Sequence, residues 1–131
     1  MIKKYLAKII AKDNQGLQLI SAYCSEAKVK ISEIKHLPKN KIFLILLERF
    51  SRDSGKKNLK IHSICKFEFV DSVKSKNINQ NDANSVLKLL AINLLKNKEN
   101  YSINLFFSDN AYITLSAEIV EVTLEDQNQD I

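Results

Sequence analysis

From residue 59 the odd positions read Leu59, Ile61, Ser63, Cys65, Phe67 and Phe69, and the even ones Lys60, His62, Ile64, Lys66 and Glu68. Successive side chains on a strand point to opposite faces, so this alternation predicts a half-buried strand over 59–70. Residues 5–11 read as a first strand, and 27–36 as another, with Ala27, Val29 and Ile31 on one face until Ile34 breaks the alternation. Pro38-Lys39-Asn40 marks a turn. Residues 41–50 are apolar at both odd and even positions as far as Glu48, the pattern of a central strand covered on both faces.

One segment has the other period. Leu17, Ile20 and Cys24, with Leu19 and Tyr23 alongside, recur at helical spacing, and Asp13 or Asn14 can accept a first-turn N–H. A helix is predicted over about 14–25. The loop 51–58 holds Gly55 and four charges, and the polar stretch 74–85 reads as a loop with one helical turn. Residues 86–95 are apolar all round a helical wheel; a buried strand is preferred, with a short core helix as the alternative. Tyr101, Ile103, Leu105 and Phe107 alternate cleanly, Ser108-Asp109-Asn110 forms a tight turn, and Ile113, Leu115, Ala117 and Ile119 alternate again. At Val120 the apolar set moves to even positions, which predicts a bulge. The sum is an α+β fold: one early helix and a largely antiparallel sheet of about seven strands, curled toward a barrel. Residues 1–126 form one domain and 127–131 a frayed tail.

Composition narrows the chemistry. The 131 residues include two Gly and one Pro, so neither a glycine-rich phosphate loop nor a dinucleotide fingerprint is present. Cys24 and Cys65 lack metal or redox spacing and read as free buried thiols in a reducing cytoplasm. His62 and Cys65 point to opposite faces of their strand, so no metal site, catalytic residue or cofactor is expected. Lys8 and Lys12 interrupt any signal-like apolar run, and Ile42 to Leu47 is far shorter than the roughly 18 residues a membrane helix needs.

The net charge of +5 comes from 20 cations against 15 acids, but 18 of the cations are Lys, the weaker residue for bidentate phosphate recognition. Arg49, Arg52, Lys56, Lys57 and Lys60 cluster around one turn. If 41–50 and 59–70 pair as a hairpin, they become candidate anion or nucleic-acid contacts at its tip. Phe50 could stack there, without a second exposed aromatic to make a platform. Residues 1–98 carry all the Lys and Arg for a net of +12, while 99–131 carry only acids for a net of −7. The acidic third either lies beside basic neighbours or drives self-association.

The segment Gly16-Leu17-Gln18-Leu19-Ile20-Ser21-Ala22 and the Lys/Val-rich strand that leads to Leu37-Pro38-Lys39 resemble an alphaproteobacterial domain-of-unknown-function family, number 2948. The Phe43 strand ending in Arg49-Phe50, the Leu89–Ile92 segment and the final hairpin resemble it too, over about 4–126. The resemblance implies a bacterial cytoplasmic origin, a single compact domain and a basic loop after the Arg-Phe pair, matched here by Ser51–Lys60. Members often carry Trp before Leu-Pro, where this chain has His36, which removes an aromatic contact from that position. The resemblance implies no activity and no catalytic residues.

The expectation is therefore a small cytoplasmic, non-enzymatic domain that binds a partner protein or itself, with no membrane contact. A nucleic-acid or anion-binding module acting through the loop at 51–60 comes second, and an enzyme of unrecognised type third.

Overall fold

The computed structural model describes residues 6–51 and 59–127, and in it ten strands form one antiparallel sheet. In chain order these are β1 (Lys8–Ala11), α1 (Asn14–Tyr23), β2 (Ala27–Lys30), β3 (Ile34–Leu37), β4 (Ile42–Ser51) and β5 (Leu59–Phe67). Then come β6 (Val70–Lys76), β7 (Val86–Lys96), β8 (Tyr101–Phe107), β9 (Tyr112–Ala117) and β10 (Val122–Asp126). The spatial order is β1-β10-β5-β4-β2-β7-β8-β9-β6, with β3 also on β4.

Alternation decides what is buried. Phe43, Ile45 and Leu47 of β4, Cys65 and Phe67 of β5, Leu105, Leu115 and Leu124 all point into one core. Asp13 caps α1 by accepting the Gly16 N–H at 2.8 Å. The helix buries Leu17 and Ile20. It also finishes a sheet edge: β2 pairs with β7 only as far as Leu89. Past that point Ser21 Oγ accepts the Ile92 N–H at 2.9 Å, and Gln18 Nε2 donates to the Ile92 carbonyl at 3.4 Å. Backbone groups that a strand would have paired are thus paired by helix side chains. The helix can reach both β7 and β1 because residue 16 is glycine: a Cβ there would lie 3.0 Å from the Ala11 Cα and Cβ.

The α+β class and the antiparallel pairing hold, but the sheet has ten strands rather than about seven, and it is not closed into a barrel. Three predicted strands are each interrupted. A 3-10 turn at Ile31–Glu33 splits 27–36 into β2 and β3, where Ile34 breaks the pattern. Phe69 adopts a left-handed φ of 59° and ends the run from 59, so that β6 starts a new strand with a different neighbour. The slip at Val120 is not a bulge: β9 stops at Ala117, and the chain crosses to insert β10 between β1 and β5. Lys76 is still in β6, and no helical turn occurs in 77–85. Residues 86–96 are a strand, with a bulge between Leu89 and Ala91. The β6 end of the sheet is held to the residue before β4 instead: Val70 N–H donates to the Lys41 carbonyl at 2.8 Å, and Lys41 Nζ lies 3.2 Å from Asp71 and 2.7 Å from Glu118.

One expectation about coverage also changes. β4 is central, but only one of its faces is buried; Leu44 and Leu46 on the other are half-buried. Of the tail expected at 127–131, residues 128–131 lie outside the described residues; Asp126 is 5% exposed, and the Gln127 N–H donates to the His62 carbonyl at 2.8 Å. Among the described residues no helix is long and apolar enough to cross a membrane.

Candidate functional site

β4 and β5 pair from Phe43↔Phe67 to Ser51↔Leu59, so the hairpin inferred from sequence exists. The five cations assigned to its tip do not share one environment. Arg52, Lys56 and Lys57 lie outside the described residues. Lys60 is exposed and sits 3.8 Å from Glu48. Arg49 is on the inward face, 2% exposed, so it is not a surface contact for phosphate.

Its guanidinium is engaged through two nitrogens. Nη2 donates to Asp126 Oδ2 at 2.7 Å, and Nε donates to Asp126 Oδ1 at 3.1 Å and to Ser63 Oγ at 3.3 Å. Ser63 Oγ in turn donates to Asp126 Oδ1 at 2.6 Å, and the Ala7 N–H donates to Asp126 Oδ2 at 2.7 Å. The Tyr23 ring lies 5.2 Å from the guanidinium carbon, a cation–π contact. Burial alone would push the Asp126 carboxyl up. Arg49, Ser63 and the Ala7 N–H outweigh it and hold the group below the ordinary aspartate range. The cluster braces β4, β5 and β10.

The thiols nearby are equally quiet. Burial pushes Cys24 up to about 12, against the pull of Arg49, and raises Cys65 well above its usual value. A thiol that stays protonated is a poor nucleophile and a poor ligand. Both cysteines are free. Among the described residues no group of three His, Cys, Asp or Glu could hold a metal.

Concavity lies on the opposite, outward face of the same strands. A groove of about 340 Å³ runs over Leu46 and Ile64, with Lys28 and Lys30 on one wall and Glu48 and His62 beside them. Cross-strand register builds it in rows: Leu46 opposite Ile64, and Ile64 opposite Glu125, which is opposite Lys8. The next row runs Lys35, Leu44, Lys66, Thr123, Ile10. Glu48 faces Lys28 on one side and His62 on the other, 3.4 Å from His62 Nε2. Apolar residues occupy the middle of this face, and charges of both signs ring them. No described helix crosses it, since α1 packs on β7 and β1.

The charge asymmetry resolves as internal pairing. β10 lies between β5 and β1. Asp126 meets Arg49, Glu125 lies 3.7 Å from Lys8, and Glu118 meets Lys41. His36, on β3, is exposed opposite Phe43, with ring centroids 6.5 Å apart. Asp126 was the residue that sequence reasoning missed, and its signal was the continuing alternation Val122, Leu124, Asp126. Ser63 had one too, as a lone polar residue on an apolar face.

A family model described as "Protein of unknown function (DUF2948)" matches residues 7–131. Neither the curated proteins nor the solved structures returned a match.

Proposed function

The chain belongs to the DUF2948 family of proteins of unknown function, and from that premise we propose that it is a non-enzymatic interaction domain whose outward β4–β5 face docks a second copy of the same chain. One observation carries this reading. The β4 sequence is apolar at successive positions, as in a strand covered twice, yet Leu44, Leu46 and Ile64 are only half-buried on the outward side. A second cover fits that pattern.

The rim favours a copy of this chain over an unlike partner. Lys8, Lys28, Lys30 and Lys66 alternate with Glu48 and Glu125 around the apolar centre. A surface of mixed sign can match itself across a two-fold axis, where a single-sign surface would repel itself. An Arg49 committed to Asp126 and Ser63, together with the protonated thiols, supports a non-enzymatic role. Free buried thiols fit a reducing compartment such as the cytoplasm.

Light scattering across the micromolar range tests the proposal. Wild type should approach twice the 15.0 kDa monomer mass as concentration rises. Leu46→Lys or Ile64→Lys should give a folded monomer. A wild-type monomer at every concentration, or a dimer indifferent to both substitutions, overturns it.

A further inference from the structure

The sheet has a second outward face, on β7, β8, β9 and β6, and its chemistry is different. Register places Ala91, Phe106, Tyr112 and Lys76 in one row across the four strands. The neighbouring row is Asn93, Asn104, Thr114 and Lys74, and the third is Leu95, Ser102, Ser116 and Ser72. Two aromatics therefore stand directly opposite each other, and both are exposed: Phe106 at 41% and Tyr112 at 37%. Beside them is a shallow hollow lined by Lys76, Asn77, Asn110 and Tyr112.

The polar row is already aligned. Asn104 Nδ2 donates to Asn93 Oδ1 at 2.9 Å, and Thr114 Oγ1 donates to Asn104 Oδ1 at 2.8 Å. Amides fixed in this way present both donors and acceptors next to the aromatic pair. Lys74 and Lys76 stand on the same face of β6, about 7 Å apart along the strand. None of the twelve residues in the three rows is acidic. Asp71 and Glu118, beyond the third row, are taken by Lys41 at 3.2 and 2.7 Å, and Asp109 sits in the turn before Tyr112.

We infer that this face binds single-stranded nucleic acid. Phe106 and Tyr112 stack on bases, the Asn93–Asn104–Thr114 row meets base edges and sugar hydroxyls, and Lys74 and Lys76 meet phosphates. Adjacent exposed aromatics flanked by cations are what a base-stacking platform requires, because every base has a π-face and every linkage a negative charge. A protein partner accounts for exposed aromatics but not for two lysines without an acid in the rows. The site is separate from the β4–β5 face.

Fluorescence anisotropy with labelled oligouridylate and oligothymidylate of about a dozen nucleotides tests it. Both should bind at low salt, and a preference between them assigns the sugar. Phe106→Ala with Tyr112→Ala should weaken binding at least about tenfold, while Tyr112→Phe, which keeps the ring, should restore the contact. Lys74→Ala with Lys76→Ala should lower the slope of log K against log salt by about 0.7 per lysine. Three results overturn the proposal: no binding at low salt; affinity lost on Arg52→Ala/Lys56→Ala/Lys57→Ala but kept in the double aromatic variant; or a change of oligomeric mass in that variant, which would make the face a contact between copies.

Discussion

The Asp126 carboxylate takes two hydrogen bonds from the Arg49 guanidinium, at 2.7 and 3.1 Å, with both side chains almost wholly out of water. Two charges at that depth cost several kcal/mol each to desolvate, and the attraction between them repays this only when the remaining lone pairs are also satisfied. Here Ser63 and the Ala7 N–H satisfy them. The pair therefore fixes which strands meet more than it adds net stability.

Asp126→Asn should cost about 3–5 kcal/mol in urea denaturation, because it strands the Arg49 charge. Replacing the whole cluster with Arg49→Met, Ser63→Ala and Asp126→Leu should cost much less, since no unpaired charge or hydroxyl is left behind. A triple variant as unstable as the single one would show that the pair itself carries the stability.

Acid should expose the same pair. The folded Asp126 carboxyl titrates below the unfolded value of about 3.9, so the native state binds that proton less readily than the unfolded chain. Its contribution is complete above the unfolded value and is lost as pH falls through the folded one. Stability measured downward from pH 5 should fall in wild type and be flatter in Asp126→Asn.

Glu68 gives the opposite sign. The Glu68 N–H donates to the Glu121 carbonyl at 3.0 Å, which brings the two side chains together. A hydrogen bond to the Glu121 carboxyl, and then burial, raise the Glu68 pKa despite Lys66. Its stabilising share is present below the unfolded value and is lost as pH rises through the folded one. Glu121→Gln should therefore stabilise the fold at pH 7 by a few tenths of a kcal/mol, in line with exposed charge pairs. The gain should vanish below about pH 4.

Alternation made much of this legible. The inward faces of β5, β8 and β9 follow from every second residue, and the Asp109-Asn110 turn follows from residue types that tolerate the φ of 61° and 59° found there. What alternation cannot supply is the neighbour. Val120 slips register in the sequence whether the cause is a bulge or a crossing to another strand, and only three-dimensional pairing separates them. Arg49 looked like part of a basic tip because Lys56, Lys57 and Arg52 follow it in sequence; its inward parity with Phe43, Ile45 and Leu47 said otherwise. Phe106 and Tyr112 are six residues apart across a turn, and their meeting on one face became visible only once the hairpin register was known.

Gly16→Ala should destabilise the fold although alanine favours helix by about 1 kcal/mol. The added methyl meets backbone at Ala11, 3.0 Å away, and the helix must lift from β1. A net loss of about 1–2 kcal/mol is expected in thermal or urea unfolding. A net gain would show that α1 is not held against β1.

Cys24 and Cys65 should resist alkylation in the native state at pH 8, because burial keeps both thiols protonated. Labelling with a thiol reagent should be complete in denaturant and slow without it. Rapid native labelling of either one would place it at the surface.

The position of β10 sets an order of events. Lys8 and Ile9 of β1 find their partners in Glu125 and Leu124, and Ala7 and Asp126 bond across 119 residues of chain. During synthesis β1 therefore leaves the ribosome with an open edge and keeps it until nearly the whole domain has followed. Pairings this distant are slow to form, because the chain between them must first be closed into a loop. The waiting strand is short, and it carries Lys8 with Lys12 just beyond it. Charges at an open edge discourage pairing with other nascent chains. Lys8 and Lys12 would then protect this edge until the last strand arrives.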